Sequence, residues 1–287
     1  MSRLILKGPV LITGSRGMLG TDFVEYLKKN VSEIKVLEPL SVDLDITQKN
    51  QVNSFLKKYR PEWIINTAAY TEVDRAESER DRAFQVNVEG PKYLAETATE
   101  IGAKLVHFST DYVFDGTGDR PWTEKDKAHP VQPNWYAETK LMGEKFVLEN
   151  SQHLVFRVQW LYGKKKERFS ALKSREVFTP FVDQFGAPTW TQDVVQIVLA
   201  VMTKNGSGLF HLAYDDYASW FEVYEFIKHE WKLPVSLVPK KASEVSLPAK
   251  RPLNGRLLNQ KLKTFLAVSS LGSWRESLGT FLKQVQQ

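Results

Sequence analysis

The sequence predicts a doubly wound α/β protein, with helices on both faces of a parallel sheet and a smaller α/β lobe after it. Short apolar runs alternate with helical patterns through the first half, which is typical of parallel sheets. The first run leads directly into a glycine-rich turn and an amphipathic helix. Because the alternation stops after Gly163, we expect one unit at 1–163. A second lobe at 164–287 is expected to be partly interleaved with the sheet.

The composition narrows the classes of function. The chain has 287 residues, 42% of them hydrophobic and 25% charged, as in an ordinary globular protein with a sizeable core. Cysteine is absent, which excludes disulfides and thiolate chemistry and fits a reducing cytoplasm. The apolar run at the start is too short and too interrupted for a signal peptide, so we expect none, and no apolar run approaches membrane-spanning length. The basic residues are scattered and the five histidines lack metal-ligand spacing, so we expect no nucleic-acid, membrane or metal partner.

The first strand and its turn predict a dinucleotide site. The apolar run 9–13 is followed by glycines at a Gly-x-x-Gly-x-x-Gly spacing. Glycines permit a tight turn and close backbone approach, and a helix N-terminus offers free N–H groups to a pyrophosphate. The predicted cofactor-binding turn comprises Gly14, Arg16, Gly17, Met18, Leu19 and Gly20.

The second strand and the helix after it supply candidate contacts for the cofactor's ribose and adenine. Strand 34–37 ends at Glu38, whose carboxylate is placed to accept ribose hydroxyls. A helix is expected over 43–58, with an Asp or Thr as its cap. Asp45, followed by Ile46, has two compatible interpretations, a helix cap and a neighbour of the adenine.

The third and fourth strands deliver further candidates to the same edge of the sheet. Strand 61–70 ends in small residues that allow close backbone approach, Ala68 and Ala69, before Tyr70. A helix over 84–99 contains Asn87. Strand 104–108 leads into Ser109, Thr110, Asp111 and Tyr112, and ligands of open α/β sheets bind outside the carboxyl ends of the strands.

A helix entered after Pro130 and Pro133 carries Tyr136 and Lys140. Residues four apart share one helix face, so the phenol lies near the ammonium group. A nearby positive charge favours the phenolate, which suits a phenol that gives its proton to a carbonyl oxygen as hydride arrives. A Tyr and a Lys four residues apart occur by chance in many helices, so the other motifs decide whether this pair is interpreted as catalytic.

The second half is less regular. Strand 154–158 leads to Trp160, and a strand with a turn is expected over 181–189. Helices are predicted over 191–202 and 219–231, with a strand at 208–212 between them. A loop at 251–257 precedes a tail helix through Trp274 and Phe281.

The motifs together resemble the extended short-chain dehydrogenase/reductase superfamily and, within it, the dTDP-4-dehydrorhamnose reductase family. The resemblance spans nearly the whole chain and rests on segments 13–20, 66–79, 109–116, 136–144, 156–163, 183–189 and 251–257. It implies a Rossmann-type sheet and reduction of the C4 ketone of dTDP-4-dehydrorhamnose by NADPH or NADH. Glu38 favours NADH, whereas Arg16 and Ser41 would suit the 2′-phosphate of NADPH.

The resemblance also assigns roles to single residues. Tyr136 would protonate the C4 oxygen and Thr110 would steady the developing oxyanion. Lys140 would hold the nicotinamide ribose and lower the pKa of the phenol. The sugar site would be lined by Val73, Asp111, Tyr112 and Trp160, and the protein would be a monomer or homodimer.

The chain departs from the family pattern in ways that leave its substrate open. Segment 164–178 is shorter than usual and basic, Gly255 replaces the more frequent Ser, and Trp135 is a bulky neighbour of Tyr136. Two alternatives are a reductase or epimerase of another nucleotide sugar and a non-catalytic subunit like that of methionine adenosyltransferase. Intact Thr110, Tyr136 and Lys140 argue against the latter. The basic residues of the short segment are candidates for attracting the substrate diphosphate, and a solvated charge run is the simpler interpretation.

Overall fold

The computed structural model describes residues 8–31, 33–166 and 169–286, and its first half alternates strands with helices. The strands are β1 (Val10–Thr13), β2 (Val36–Leu37), β3 (Trp63–Asn66), β4 (Lys104–Thr110) and β5 (Leu154–Val158). The helices are α1 (Met18–Asn30), α2 (Lys49–Tyr59), α3 (Arg80–Phe84), α4 (Gly90–Ile101) and α5 (Trp135–Leu148). A π-helical turn at Gln85–Glu89 joins α3 to α4.

The second half has shorter strands. They are β6 (Leu161–Tyr162), β7 (Val177–Phe178), β8 (Phe185–Gly186), β9 (Thr189–Trp190), β10 (Gly208–His211), β11 (Ala218–Ser219) and β12 (Ser236–Leu237). The helices are α6 (Thr191–Thr203), α7 (Trp220–Trp231), α8 (Gln260–Leu266) and α9 (Trp274–Gln286). Short 3₁₀ turns include Asp111–Val113 after β4 and Lys164–Lys166 after β6.

The main sheet has six parallel strands in the order β10-β5-β4-β3-β1-β2. The chain moves from β1 to β2 on one side and returns to β3 on the other, so the order reverses at β1. Apolar side chains of α1 and α6 cover one face, and those of α2, α4 and α5 cover the other. The predicted doubly wound parallel sheet is confirmed, and its reversal point is where such sheets bind ligands.

The small lobe packs around an aromatic core rather than a broad sheet. Its strands form two-residue pairs, β11 with β8 and β12 with β7. Strand β10 and helix α6 return to the main sheet, while α7 and α9 stay in the lobe. The buried aromatic residues of the lobe are Tyr162, Phe169, Trp190, Tyr214, Trp231, Trp274 and Phe281.

Several predicted boundaries were wrong. Helix α2 begins at Lys49 rather than at residue 43, because Asp45 Oδ1 accepts from the Thr47 amide at 2.9 Å and closes a turn before the helix. Strand β3 ends at Asn66, the tail forms two helices, and the expected strand over 181–189 is reduced to β8 and β9. Short pairings of this kind are set by distant partners and leave a weak local pattern.

The described ranges contain no helix with both the length and the apolar character that a membrane crossing requires. Within the same ranges, no grouping of His, Asp and Glu side chains is arranged to hold a metal ion.

Candidate active site

A cavity of about 580 Å³ lies at the carboxyl ends of β1, β3, β4 and β5 and extends to α7 of the small lobe. It unites predicted cofactor and substrate residues in one space. These lining residues are Gly17, Met18, Leu19, Ala69, Val73, Thr110, Asp111, Tyr112, Tyr136, Lys140 and Trp160.

The glycine turn is shaped for close approach between β1, α1 and the segment after β3. Gly14 has a φ of +68°, a left-handed conformation that favours glycine, and a Cβ there would lie 2.6 Å from the Ala68 amide nitrogen. A Cβ on Gly20 would lie 2.7 Å from Thr67 Oγ1. Helix α1 begins at Met18 beside the cavity, so its free N–H groups are available to a phosphate. The turn therefore fits a dinucleotide pyrophosphate.

Some residues predicted to bind the cofactor are engaged with the protein. Asn87, in the π-helical turn, accepts from the Tyr70 amide at 2.9 Å and donates to the Tyr70 carbonyl and to Thr139 Oγ1. It thus ties the segment after β3 to α5. Ile46 is buried against Gly90.

Glu38 and Arg16 lie at the periphery of the proposed cofactor site. Glu38 pairs with Lys28 and lines a separate groove between β2 and α2. Arg16 is an exposed residue of the glycine turn. Their positions leave both cofactor choices as predictions.

Helix α5 positions the proposed acid. Asn134 caps the helix by accepting from the Ala137 amide at 2.9 Å, which fixes the first turn where Tyr136 lies. The Tyr112 ring meets the Tyr136 ring edge-on, with centroids 6.0 Å apart. Burial raises the pKa of the Tyr136 phenol to about 12, although its hydrogen bond with Thr110 opposes the rise. The expected lowering of this pKa by Lys140 was wrong for this structure, because burial dominates.

Lys140 is held by the sheet beneath it. Its Nζ donates to the Phe108 carbonyl at 2.5 Å and lies 3.4 Å from His107 Nε2. Burial lowers the pKa of Lys140 to about 8, while Glu144 on the next turn opposes the fall. Burial and the adjacent Lys140 hold the pKa of His107 well below its usual range, so the imidazole is neutral. Of these two neighbouring side chains, Lys140 therefore carries the positive charge at neutral pH.

Asp111 follows β4 and is almost fully buried. Its Oδ1 accepts from the Thr110 hydroxyl at 3.2 Å, while its Oδ2 has no hydrogen-bond partner in the described part of the chain. Burial raises the pKa of the carboxyl from 3.8 to about 7. A carboxyl in this state is able either to donate or to accept a hydrogen bond near neutral pH.

Asp111→Asn is expected to remove a pH-dependent loss of stability. Between about pH 4 and about pH 7 the folded carboxyl keeps its proton while the unfolded one is ionised, so wild-type stability falls as pH rises. The slope is at most about 1.4 kcal/mol per pH unit. Denaturant unfolding of both proteins across this range tests the prediction. The variant should gain stability relative to the wild type as pH rises, and a constant difference would contradict it.

Trp160 lines the cavity at the end of β5. Its φ of +45° is in the left-handed region, which is unusual for a bulky residue and marks local strain. Its ring stacks on Trp220 of α7, with centroids 4.0 Å apart and planes at 17°. The pair joins the end of β5 to the small lobe and presents an apolar surface to the cavity.

Comparison with known proteins identifies the family. The profile of the RmlD substrate binding domain matches residues 8–287. The dTDP-4-dehydrorhamnose reductase of Escherichia coli K12 is 33% identical over 96% of this chain and 97% of its own length. The chain belongs to the RmlD family of dTDP-4-dehydrorhamnose reductases. The predicted resemblance is confirmed.

The names of two further relatives state a ligand or a substrate of those proteins. The Bacillus anthracis dTDP-4-dehydrorhamnose reductase, solved in complex with NADP, has a TM-score of 0.90 and 33% identity, covering 97% of this chain and 100% of that one. A dTDP-4-keto-6-deoxy-D-glucose reductase of Streptomyces niveus is 37% identical over 74% of this chain and 75% of its own length.

The basic segment of this RmlD-family chain lies against α1. Lys165 Nζ donates to Thr21 Oγ1 at 3.1 Å. Burial raises the pKa of Asp22, and the positive charge of Lys164 opposes that rise. Arg168, also predicted as a diphosphate contact, lies outside the described residues. The two described lysines are therefore beside the helix that follows the glycine turn, nearer to the proposed cofactor site than the prediction assumed.

The cavity also contains residues that were not predicted as site residues. Ser109 and Gln159 are polar and directly follow the predicted core of a strand, a signal that would have pointed to both. Trp220 comes from the small lobe, whose packing against β5 has no local signal. The additional lining residues are Thr67, Thr71, Phe108, Ser109, Val158, Gln159, Leu161 and Trp220.

Proposed function

We propose that this protein reduces the C4 ketone of dTDP-4-dehydrorhamnose to give dTDP-L-rhamnose, with NADPH or NADH as the reductant. The observation that carries the proposal is the shared cavity, where Tyr136, Thr110 and Lys140 lie beside the glycine turn. The relatives from E. coli and B. anthracis act on the same substrate according to their names, and the latter binds NADP.

The chain's own residues account for the proton transfer. A bound nicotinamide cofactor supplies the hydride to C4, and the carbonyl oxygen must gain a proton. The high pKa of the Tyr136 phenol keeps that proton in place until the oxygen becomes basic. The Thr110 hydroxyl would then stabilise the phenolate by hydrogen bonding, and the Lys140 ammonium would add positive charge near the reacting oxygen.

The proposed binding regions follow the fold. Gly14, Gly17 and the start of α1 would hold the pyrophosphate, and Lys140 would hold the nicotinamide ribose. Val73, Asp111, Tyr112 and Trp160 would surround the sugar. The division at residue 163 into cofactor and substrate units, the cytoplasmic location and the monomeric or homodimeric state are also proposals.

A second substrate is favoured by one observation. The S. niveus relative is named for dTDP-4-keto-6-deoxy-D-glucose, which differs from dTDP-4-dehydrorhamnose in the configuration of its ring. The shortened segment 164–178 is consistent with a change in substrate. The chemistry at C4 would be the same.

Product analysis separates the two substrates. Purified protein should oxidise NADPH or NADH when given dTDP-4-dehydrorhamnose, and NMR of the product should show dTDP-L-rhamnose. Parallel reactions with dTDP-4-keto-6-deoxy-D-glucose test the second candidate. Preferential turnover of that sugar would replace the main proposal, and turnover of neither would reject both.

A further inference from the structure

Polar atoms without partners converge in the part of the cavity between β4, β5 and the small lobe. Gln159 is 1% exposed, yet its Oε1 and Nε2 both have no hydrogen-bond partner within 8–31, 33–166 and 169–286. Asp111 Oδ2 and Ser109 Oγ are also buried and have no hydrogen-bond partner in these ranges. All three residues line the cavity. Burying a complete carboxamide without partners is costly, which indicates that a ligand satisfies it.

Two glycines make the room that these side chains occupy. A Cβ on Gly186 would lie 2.7 Å from Gln159 Oε1, and a Cβ on Gly255 would overlap Asp111 Oδ2. The Gly255 amide donates to the Phe185 carbonyl at 2.8 Å, so the two glycines lie side by side. We call Asp111, Gln159, Gly186 and Gly255 the glycine niche.

The position of the glycine niche favours the sugar over the cofactor. Gln159 follows β5, which is separated from β1 and its glycine turn by β3 and β4. It is next to Trp160, whose ring stacks on Trp220. Asp111 lies beside Gly255 in the niche and belongs to the proposed sugar site. A carboxamide beside a carboxyl group offers a donor and acceptors, which matches ring hydroxyls that both donate and accept.

We propose that Gln159 is a specificity-determining residue that holds the C2 or C3 hydroxyl of the substrate sugar, with Asp111 as its partner in the glycine niche. The proposal rests on the proposed function, since these are the ring hydroxyls of the product other than the one formed at C4. A site built to pair with a hydroxyl rejects an analogue that lacks it. Gln159 would thereby select the sugar ring without taking part in proton transfer.

The test is equilibrium binding to the full-length protein saturated with NADP. Calorimetry would measure dTDP-L-rhamnose and its 2-deoxy and 3-deoxy analogues against the wild type and Gln159→Met, which preserves the length of the side chain and removes its hydrogen bonds. The wild type should lose roughly 10-fold in affinity for one analogue. Gln159→Met should bind dTDP-L-rhamnose roughly 10-fold more weakly and lose the preference over that analogue, with NADP affinity unchanged.

The outcomes separate this proposal from the proposed function. Discrimination by Gln159→Met equal to that of the wild type, or absence of dTDP-L-rhamnose binding to the wild type, would overturn the role of Gln159. Failure of wild-type turnover with intact selective binding would instead overturn the proposed function. Should Gln159→Met not fold, Gln159→Asn, whose amide is too short to reach the same position, is judged by the same loss of preference.

Discussion

Tyr136→Phe is expected to lose about 100- to 10,000-fold in turnover while binding NADPH almost as the wild type does. The substitution removes only the hydroxyl, and Phe preserves the edge-on contact with the Tyr112 ring. Thr110 and Lys140 stay in place, but neither replaces a phenol that is positioned to give up its proton. Steady-state turnover and NADPH titration of the purified variant measure the two effects separately.

Tyr112→Phe is the matched control, because it removes a hydroxyl from the same cavity without removing the proposed acid. It should change KM for the sugar nucleotide more than kcat, since Tyr112 contacts Arg251 and belongs to the proposed sugar site. If Tyr136→Phe keeps near-normal kcat, or if both variants lose kcat equally, Tyr136 is not the specific proton donor.

The parts of the fold that followed from the sequence are those with strong local rules. Strand β5 was predicted with its observed limits, and β1 and α6 nearly so, because buried parallel strands and amphipathic helices have distinct periodicities. The glycine turn was predicted because glycines permit a tight turn and close backbone approach, and the positive φ of Gly14 beside Ala68 has that geometry. The placement of Tyr136 and Lys140 on one helix face followed from helix geometry alone.

The remainder depends on contacts between distant segments. Asn87 forms hydrogen bonds with Tyr70 and Thr139, and helix periodicity does not predict these partners. The pKa of Tyr136 is raised mainly by burial, and burial cannot be predicted from the four-residue spacing between Tyr136 and Lys140. The position of Gln159 after a strand marks it as a candidate, but its closeness to Asp111 depends on Gly186 and Gly255, which come from distant parts of the chain. Such features require the folded arrangement of both halves.

Glu144→Gln is expected to destabilise the protein by about 3–5 kcal/mol. Glu144 on α5 and Arg157 on β5 form a two-point ion pair of 2.5 and 3.0 Å, and their side chains are only 3% and 4% exposed. Arg157 also lies against the Phe114 ring and 3.3 Å from His211 Nε2, which burial and Arg157 itself keep neutral. Neutralising Glu144 leaves the buried Arg157 guanidinium without the carboxylate that pairs with it in this structure.

The same variant should affect Lys140, one turn earlier on α5. Glu144 raises the pKa of Lys140 against the effect of burial, so its removal should move that pKa below about 8. A larger fraction of Lys140 would then be uncharged near neutral pH. If the ammonium charge supports turnover, kcat should begin to fall with rising pH at a lower pH in Glu144→Gln than in the wild type.

Two controls distinguish the buried pair from a general effect of losing a carboxylate. Glu100→Gln breaks the exposed pair with Lys57, where both side chains are 55% exposed, and should leave the free energy of unfolding nearly unchanged. The double variant Glu144→Met/Arg157→Met removes both buried charges and should recover much of the stability lost in Glu144→Gln. Denaturant unfolding of all three variants provides the comparison. A loss below about 1 kcal/mol in Glu144→Gln would show that the guanidinium is adequately compensated without Glu144, and α5 would owe its position to apolar packing instead.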